Sequence, residues 1–367
     1  MAIRSAIENL RTKLEDPEGT EVNITVVVDA EAEAVEEALQ QEEIDAEISE
    51  GEDLAENDEA GQEEAAELNA MASALREHGL TPGMQALLAA SGKCAMYGIP
   101  MPAKEGLDAT GRNMTQAEAL ATAFEASGDS FWESTKKFFA EMWDKIKRMI
   151  TFIKTHLGGL EGRVKRAHDS LSGKSFDEDK GKNAKKFNDI KDPAAVTAAV
   201  GKLLAGLKST ASLNREGIAS SEGDLPAEAD LKAATGYKYV EGNKNRIEED
   251  DKDFLKGEEL TPSAALLGEY QSARFQAIQG VLAMMRKADG AVADAENCKK
   301  TFVKLAEDAS KTKNDGKVGD EAKNVIKKSR DITSSWLKII GRSTKVMTRM
   351  CTMYITGCAK VRACAKA

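Results

Sequence analysis

Apolar residues recur along most of this chain at steps of three and four, the period of a helix with one buried face. The clearest case is residues 131–157. Phe131, Trp132, Phe138, Phe139, Met142, Trp143, Ile146, Met149, Ile150 and Ile153 mark one stripe, and Lys136, Lys137, Lys145, Lys147 and Arg148 fill intervening positions. The pattern predicts an amphipathic helix of about seven turns. Ser130 and Glu133 have capping-box spacing and are expected to open it. Gly158-Gly159 is expected to interrupt it before a shorter helix bearing Val164, Ala167 and Leu171.

Upstream, Thr81-Pro82 reads as an N-cap followed by proline at the first helical position, and Thr115 with Glu118 as a second capping box. Downstream, residues 172–192 read as a loop, and a helix is expected from Pro193 to about Leu207. Thr261-Pro262 begins a helix carrying Leu266, Leu267, Tyr270, Phe275, Ile278, Leu282 and Met285, which continues past Gly290. Residues 312–319 read as a turn, and the final helix as about 320–362. One segment departs from the helical period. Residues 21–28, EVNITVVV, are β-branched, partly alternating and predict a strand. A short helix is expected over 2–14 and another pattern of helical type over 30–39. Residues 41–68 are Glu- and Ala-rich, helical or disordered, and cannot build a core of their own.

These elements predict a mainly α protein: a helical body with long amphipathic helices, plus a small N-terminal α/β segment. The expected organisation is an acidic segment over 1–67, a helical region over 68–213, a polar linker over 214–261 and a C-terminal helical region over 262–367. Aromatics at 5% and charged residues at 31% of the 367 residues agree with helices that carry long charged faces.

Charge changes the picture more than composition does. Residues 14–75 contain 22 Asp and Glu and no Lys or Arg, whereas residues 68–367 carry 48 basic groups against 39 acidic ones, a net of +9. An acidic stretch of this kind is either a solvated, self-repelling tail or a removable cover for a basic body. The basic excess peaks at the C-terminus, where residues 323–367 hold 11 Lys and Arg against Asp331 alone. Lys327, Lys328, Arg330, Lys338, Arg342, Lys345 and Arg349 are the candidate contacts for an anion. Two partners fit: nucleic acid, bound without sequence readout and with strong salt dependence, or the acidic segment of the same chain.

Candidate chemistry is thin. The five cysteines form no C-x-x-C pair and read as reduced thiols, and the three histidines have no cysteine at ligand spacing, so neither metal nor cofactor is expected. Gly173-Lys174-Ser175 resembles the end of a phosphate loop, but His168 stands where the first glycine is required. Asp177 and Asp179 are too sparse for a calcium loop. A Cys–His nucleophile pair is open in principle, yet no catalytic constellation stands out and no enzyme is expected. No secretory or membrane-spanning segment is read. The 131–157 stripe is either core or a basic, Trp-bearing interfacial helix lying in a membrane surface.

The order of parts resembles the internal head proteins, or prohead core proteins, of large tailed (myovirus-type, jumbo) bacteriophages. The resemblance rests on the 23–28 run, the Glu/Ala segment, His78-Gly79-Leu80-Thr81-Pro82, Tyr97-Gly98-Ile99-Pro100-Met101-Pro102 leading to Leu107-Asp108-Ala109-Thr110-Gly111, and the Trp/Phe/Lys helix. It covers roughly the first 160 residues.

The resemblance implies a virion structural protein made in the bacterial host cytoplasm and packaged in the capsid lumen with capsid or inner core proteins. It further implies loss of an acidic propeptide to the phage maturation protease, and a mature body that stays with packaged DNA and can be ejected with it. Such proteases cut after glutamate with an aliphatic or small residue two positions earlier. Candidate cuts are therefore Glu50–Gly51, Glu56–Asn57 and Glu67–Leu68. The competing expectation is a phage or bacterial intracellular effector acting at membranes through the Trp-bearing helix. An enzyme delivered with the genome comes third.

Overall fold

The computed structural model describes residues 21–101, 112–220, 225–311 and 319–366. The protein is mainly α, with two small sheets among the described residues. The 2–14 helix, the 107–111 motif and almost all of the 312–319 turn lie outside the described residues.

Three long helices form the frame: α1 (Glu21–His78, 58 residues), α4 (Met114–Asp169, 56 residues) and α12 (Gly319–Ala363, 45 residues). Between α1 and α4 come α2 (Pro82–Ser91) and the single turn α3 (Lys93–Met96). Ion pairs and a hydrogen bond from Thr135 fix the direction of α1. Residues 47 and 58 lie beside 145 and 135 of α4, and residues 45, 52 and 58 beside 345, 338 and 330 of α12. α1 therefore runs antiparallel to both, and α4 and α12 run parallel to each other.

The run 21–28 lies in α1 and is not a strand. Among the described residues no strand pairs with it, and a helix satisfies its own backbone groups where a lone strand leaves them open. α4 continues through both Ser130 and Gly158-Gly159. Its start is Asn113, whose side chain accepts the Gln116 amide at 2.9 Å, so neither predicted capping box opens a helix. Thr81 does cap α2, accepting from Met84 N at 3.2 Å with Pro82 at the first helical position.

The rest of the chain wraps α4 and α12. Residues 172–192 are more than a loop, holding α5 (Glu178–Lys182) and β1 (Phe187–Asp189). α6 (Pro193–Ala211) follows. Residues 214–261, expected as a linker, fold as α7 (Arg215–Ser220), α8 (Glu228–Thr235), β2 (Tyr237–Val240), β3 (Asn243–Glu249) and β4 (Glu258–Leu260). β2 and β3 form a hairpin against α12, with Ser335 Oγ donating to Asn245 O at 2.7 Å, and β4 pairs antiparallel with β1. Polar composition misled here because a few buried side chains, such as Ile247 and Leu231, suffice to dock a short element onto an existing core.

The helix expected from Thr261-Pro262 starts instead at Ser263, whose hydroxyl accepts Leu266 N. It is three helices: α9 (Ala264–Gln271), α10 (Ala273–Arg286) and α11 (Ala288–Lys311).

Two clusters make the interior. The larger joins α4, α6, α9–α12 and the short strands around Trp143, Phe302 and Trp336, all fully buried. The smaller gathers Leu68, Leu75, Leu80, Leu88, Ile99 and Phe124 where α1 ends and α4 begins. Phe131, Trp132, Phe138, Phe139, Met142, Trp143, Ile146 and Ile150 are all buried. The aromatic stripe is thus core over these residues. Among the described residues no helix is long and apolar enough to cross a membrane.

Candidate polyanion interface and its acidic cover

The acidic helix lies directly on the basic helices. Toward α12, Asp45, Glu52 and Glu59 recur every seven residues and face Lys345, Lys338 and Lys327. The Lys338–Glu52 pair is 2.6 Å long and the Lys327–Glu59 pair 3.9 Å, and Lys345 bridges Asp45. Toward α4, Lys145 reaches Glu47 at 2.7 Å and Glu50 at 2.5 Å, and Arg148 reaches Glu47 at 3.0 Å. Burial pushes the Glu47 carboxyl up, but the hydrogen bonds from Arg148 and Lys145 outweigh it and hold the group below 4.5. Burial likewise lowers Lys145, and its two glutamates more than reverse that.

At the centre is a buried polar cluster. Arg330 Nη2 contacts Asp58 Oδ2 at 2.7 Å and Gln62 Oε1 at 2.6 Å, while Thr135 Oγ1 donates to Asp58 Oδ1 at 2.9 Å. The Arg330 and Asp58 side chains are only 4% and 3% exposed, so this pair ties α1, α4 and α12 together away from solvent.

The seven candidate anion contacts therefore do not form a free face. Arg330, Lys338 and Lys345 are paired to α1. Lys328 Nζ donates to Ala219 O at 2.6 Å, and Arg349 Nε to Leu255 O at 3.3 Å. Arg342 donates to Thr235 O at 3.1 Å, pairs with Glu249 and stacks over Tyr237. Only Lys327, paired at the 3.9 Å limit, keeps most of its side chain in solvent. The chain's own acidic segment lies against this helix through Asp45, Glu52, Asp58 and Glu59.

The candidate cleavage residues all lie on α1. Gly51 is buried where a Cβ would collide with Leu337 Cδ2. Leu68 is buried in the smaller core, and Glu67 pairs with Lys93 at 3.0 Å. Glu56 and Asn57 are both exposed. None can enter a protease cleft as an extended strand while the helix stays docked.

Sequence reasoning missed Asp58 and Gln62; it places Thr135 on the buried stripe of the 131–157 helix but not its hydrogen bond to Asp58. The seven-residue recurrence of Asp45, Glu52 and Glu59 was available in the sequence and would have marked one face of the acidic helix as a docking face.

A second buried network ties β1, α4, α9, α10 and α12. Arg274 pairs with Asp189 at 2.7 Å, Tyr270 donates to Asp189, Tyr354 Oη donates to Tyr270 O at 2.9 Å, and His168 Nδ1 lies 3.1 Å from Tyr354 Oη. Burial pushes the Cys358 thiol up to about 12, so it is no thiolate at neutral pH. Among the described residues no group of His, Cys, Asp and Glu could hold a metal ion. A cavity of about 480 Å³ between α7, α11 and α12 is lined by Arg215, Glu216, Lys304 and Asp308, with neither cysteine nor histidine.

No family model matches the chain, and neither the curated proteins nor the solved structures contain a match.

Proposed function

We propose that this chain is an internal head protein of a large tailed phage. It is carried in the capsid lumen, and its acidic amino-terminal helix covers the cationic faces of α4 and α12 during assembly. The observation that carries the reading is the ladder of α1 carboxylates on Lys145, Arg148, Arg330, Lys338 and Lys345. It joins the one strongly acidic stretch of the chain to its basic helices. Maturation removes part of α1 and returns Lys145, Arg148 and Lys345 to solvent, where packaged DNA takes the place of the carboxylates through non-specific phosphate contacts.

Of the three candidate cuts, Glu50–Gly51 is the one with an aliphatic residue two positions before the glutamate and a small residue after it, and, like Glu56–Asn57, it keeps the buried Asp58 in the mature chain. It frees Asp45, Glu47 and Glu50, the partners of Lys345, Arg148 and Lys145, and leaves Asp58 beside Arg330. A cut after Glu67 would take Asp58 away with the fragment and strip Arg330 of its counter-charge, a costly change for a buried cation. Because the cut site is helical and docked, cleavage precedes docking or follows a local opening of α1.

The test is the intact mass and N-terminal sequence of the protein from purified particles. A chain starting at Gly51 supports the reading in full. An intact chain in particles removes the maturation step, and absence from particles overturns the assignment.

A further inference from the structure

The carboxy-terminal ends of α4 and α12 meet at one pole of the bundle. Lys366 N donates to Ser175 O at 2.8 Å, Asp177 N to Cys364 O at 2.8 Å and Lys180 Nζ to Ala365 O at 3.1 Å, and Phe176 bridges Ala365. Residues 163–186 and 360–366 together hold 11 Lys and Arg against four acids, a net of +7. Lys165, Arg166, Lys174, Lys360, Arg362 and Lys366 are exposed or half-buried, and they have no ion-pair partner among the described residues. This contrasts with the flank of the same two helices, where α1 answers the cations.

The helix dipoles account for part of the pole, since cations are favoured in the last turn of a helix. They do not account for Lys174 and Lys366, which lie beyond the helix ends. Six cations on one end, with no ion-pair partner among the described residues, attract a polyanion and make its binding strongly salt-dependent.

We propose that this pole is a nucleic-acid docking surface of the full-length chain, open before any processing, which grips the phosphate backbone of duplex DNA without reading sequence. The proposal rests on the head-protein reading only for DNA as the partner; the surface itself needs no cleavage of α1. Phosphate contact is favoured over base contact because the nearby aromatic, Phe176, is half-buried and packs onto Gly181. It is favoured over a membrane because Leu160, Val164, Leu171 and Val361 are buried here. The exposed large apolar residues Leu87, Met96, Met101 and Met114 lie at the opposite end of α4.

The test uses the full chain, a labelled random-sequence duplex and fluorescence anisotropy across a salt series. Vesicles of phosphatidylglycerol and phosphatidylcholine form a parallel arm. A Lys165→Gln, Lys174→Gln, Lys360→Gln, Lys366→Gln variant is compared with a Lys287→Gln, Lys300→Gln, Lys304→Gln control, with folding of each checked by circular dichroism melts. The expected result is duplex binding at low salt that weakens about tenfold or more in the pole variant. The slope of log K against log salt should fall by about one for each phosphate no longer neutralised. An equal loss in the control, no duplex binding by the full chain, or binding to vesicles alone would each overturn the proposal. None of these outcomes bears on the particle-borne mass, so the head-protein reading stands or falls separately.

Discussion

At the scale of single residues, the Asp58–Arg330 pair decides whether α1 belongs to the fold. Both side chains are almost wholly buried, and the pair is completed by Gln62 and Thr135. Desolvating two charges roughly offsets their attraction, so the pair adds little net stability but is severe to break from one side. Asp58→Ala is expected to cost about 3–5 kcal/mol in urea unfolding, because Arg330 is left buried and unpaired. The double change Asp58→Leu with Arg330→Met should cost far less, while loosening the register of α1. If the single and double variants lose equal stability, the pair is not buried as described. Nothing in the sequence separates Asp58 from its 21 acidic neighbours in residues 14–75. Its role depends on a partner 272 positions away, and no local pattern carries that information.

At the scale of elements, periodicity located the long helices well and their ends poorly. The 131–157 stripe was legible because a buried face some forty ångströms long imposes its period on many residues at once. The capping box at Ser130 was not decisive, because α4 continues N-terminally to bury Phe124, Leu120 and Ala117 in the smaller core. The α9–α11 run broke into three because its segments pack on different partners: α9 and α10 on α12 and β1 through Tyr270 and Arg274, α11 on α4 through Phe302. Close approach of α9 to α12 requires Gly357, where a Cβ would collide with the Tyr270 hydroxyl. Gly357→Ala should therefore cost about 1–3 kcal/mol. Gly268→Ala on α9, where a Cβ meets nothing, should be neutral or gain up to about 1 kcal/mol. Thermal melts of the two variants check this, and equal shifts would contradict the packing described.

At the scale of the whole molecule, the charge division seen in the sequence became an interface rather than a tail. The division itself was legible; what could not be read was that the acidic segment supplies core side chains such as Ile44 and Ala65 along with its charges. Docking of α1 should consequently depend on acidity. Glu47 titrates below its ordinary 4.5 because Arg148 and Lys145 outweigh its burial. A carboxyl depressed in the folded state stabilises fully above its unfolded value, and that contribution is lost as pH falls through the folded one. Urea midpoints should therefore lose the Glu47 contribution only below pH 4.5, and Glu47→Gln should flatten that part of the profile. A Glu47→Gln profile parallel to that of the parent chain would show that the bridge contributes nothing.

The antiparallel seating of α1 against the last helix also has a consequence in time. The ribosome releases α1 first and the seat on α12 last, with Asp58 and Arg330 separated by 272 residues. At about 5–20 residues per second, the acidic segment spends on the order of tens of seconds outside the exit tunnel before the α12 half of its seat exists. During that interval the carboxylates that face α12, Asp45, Glu52, Asp58 and Glu59, are open to any cation. Once the last helix emerges, they are withdrawn together.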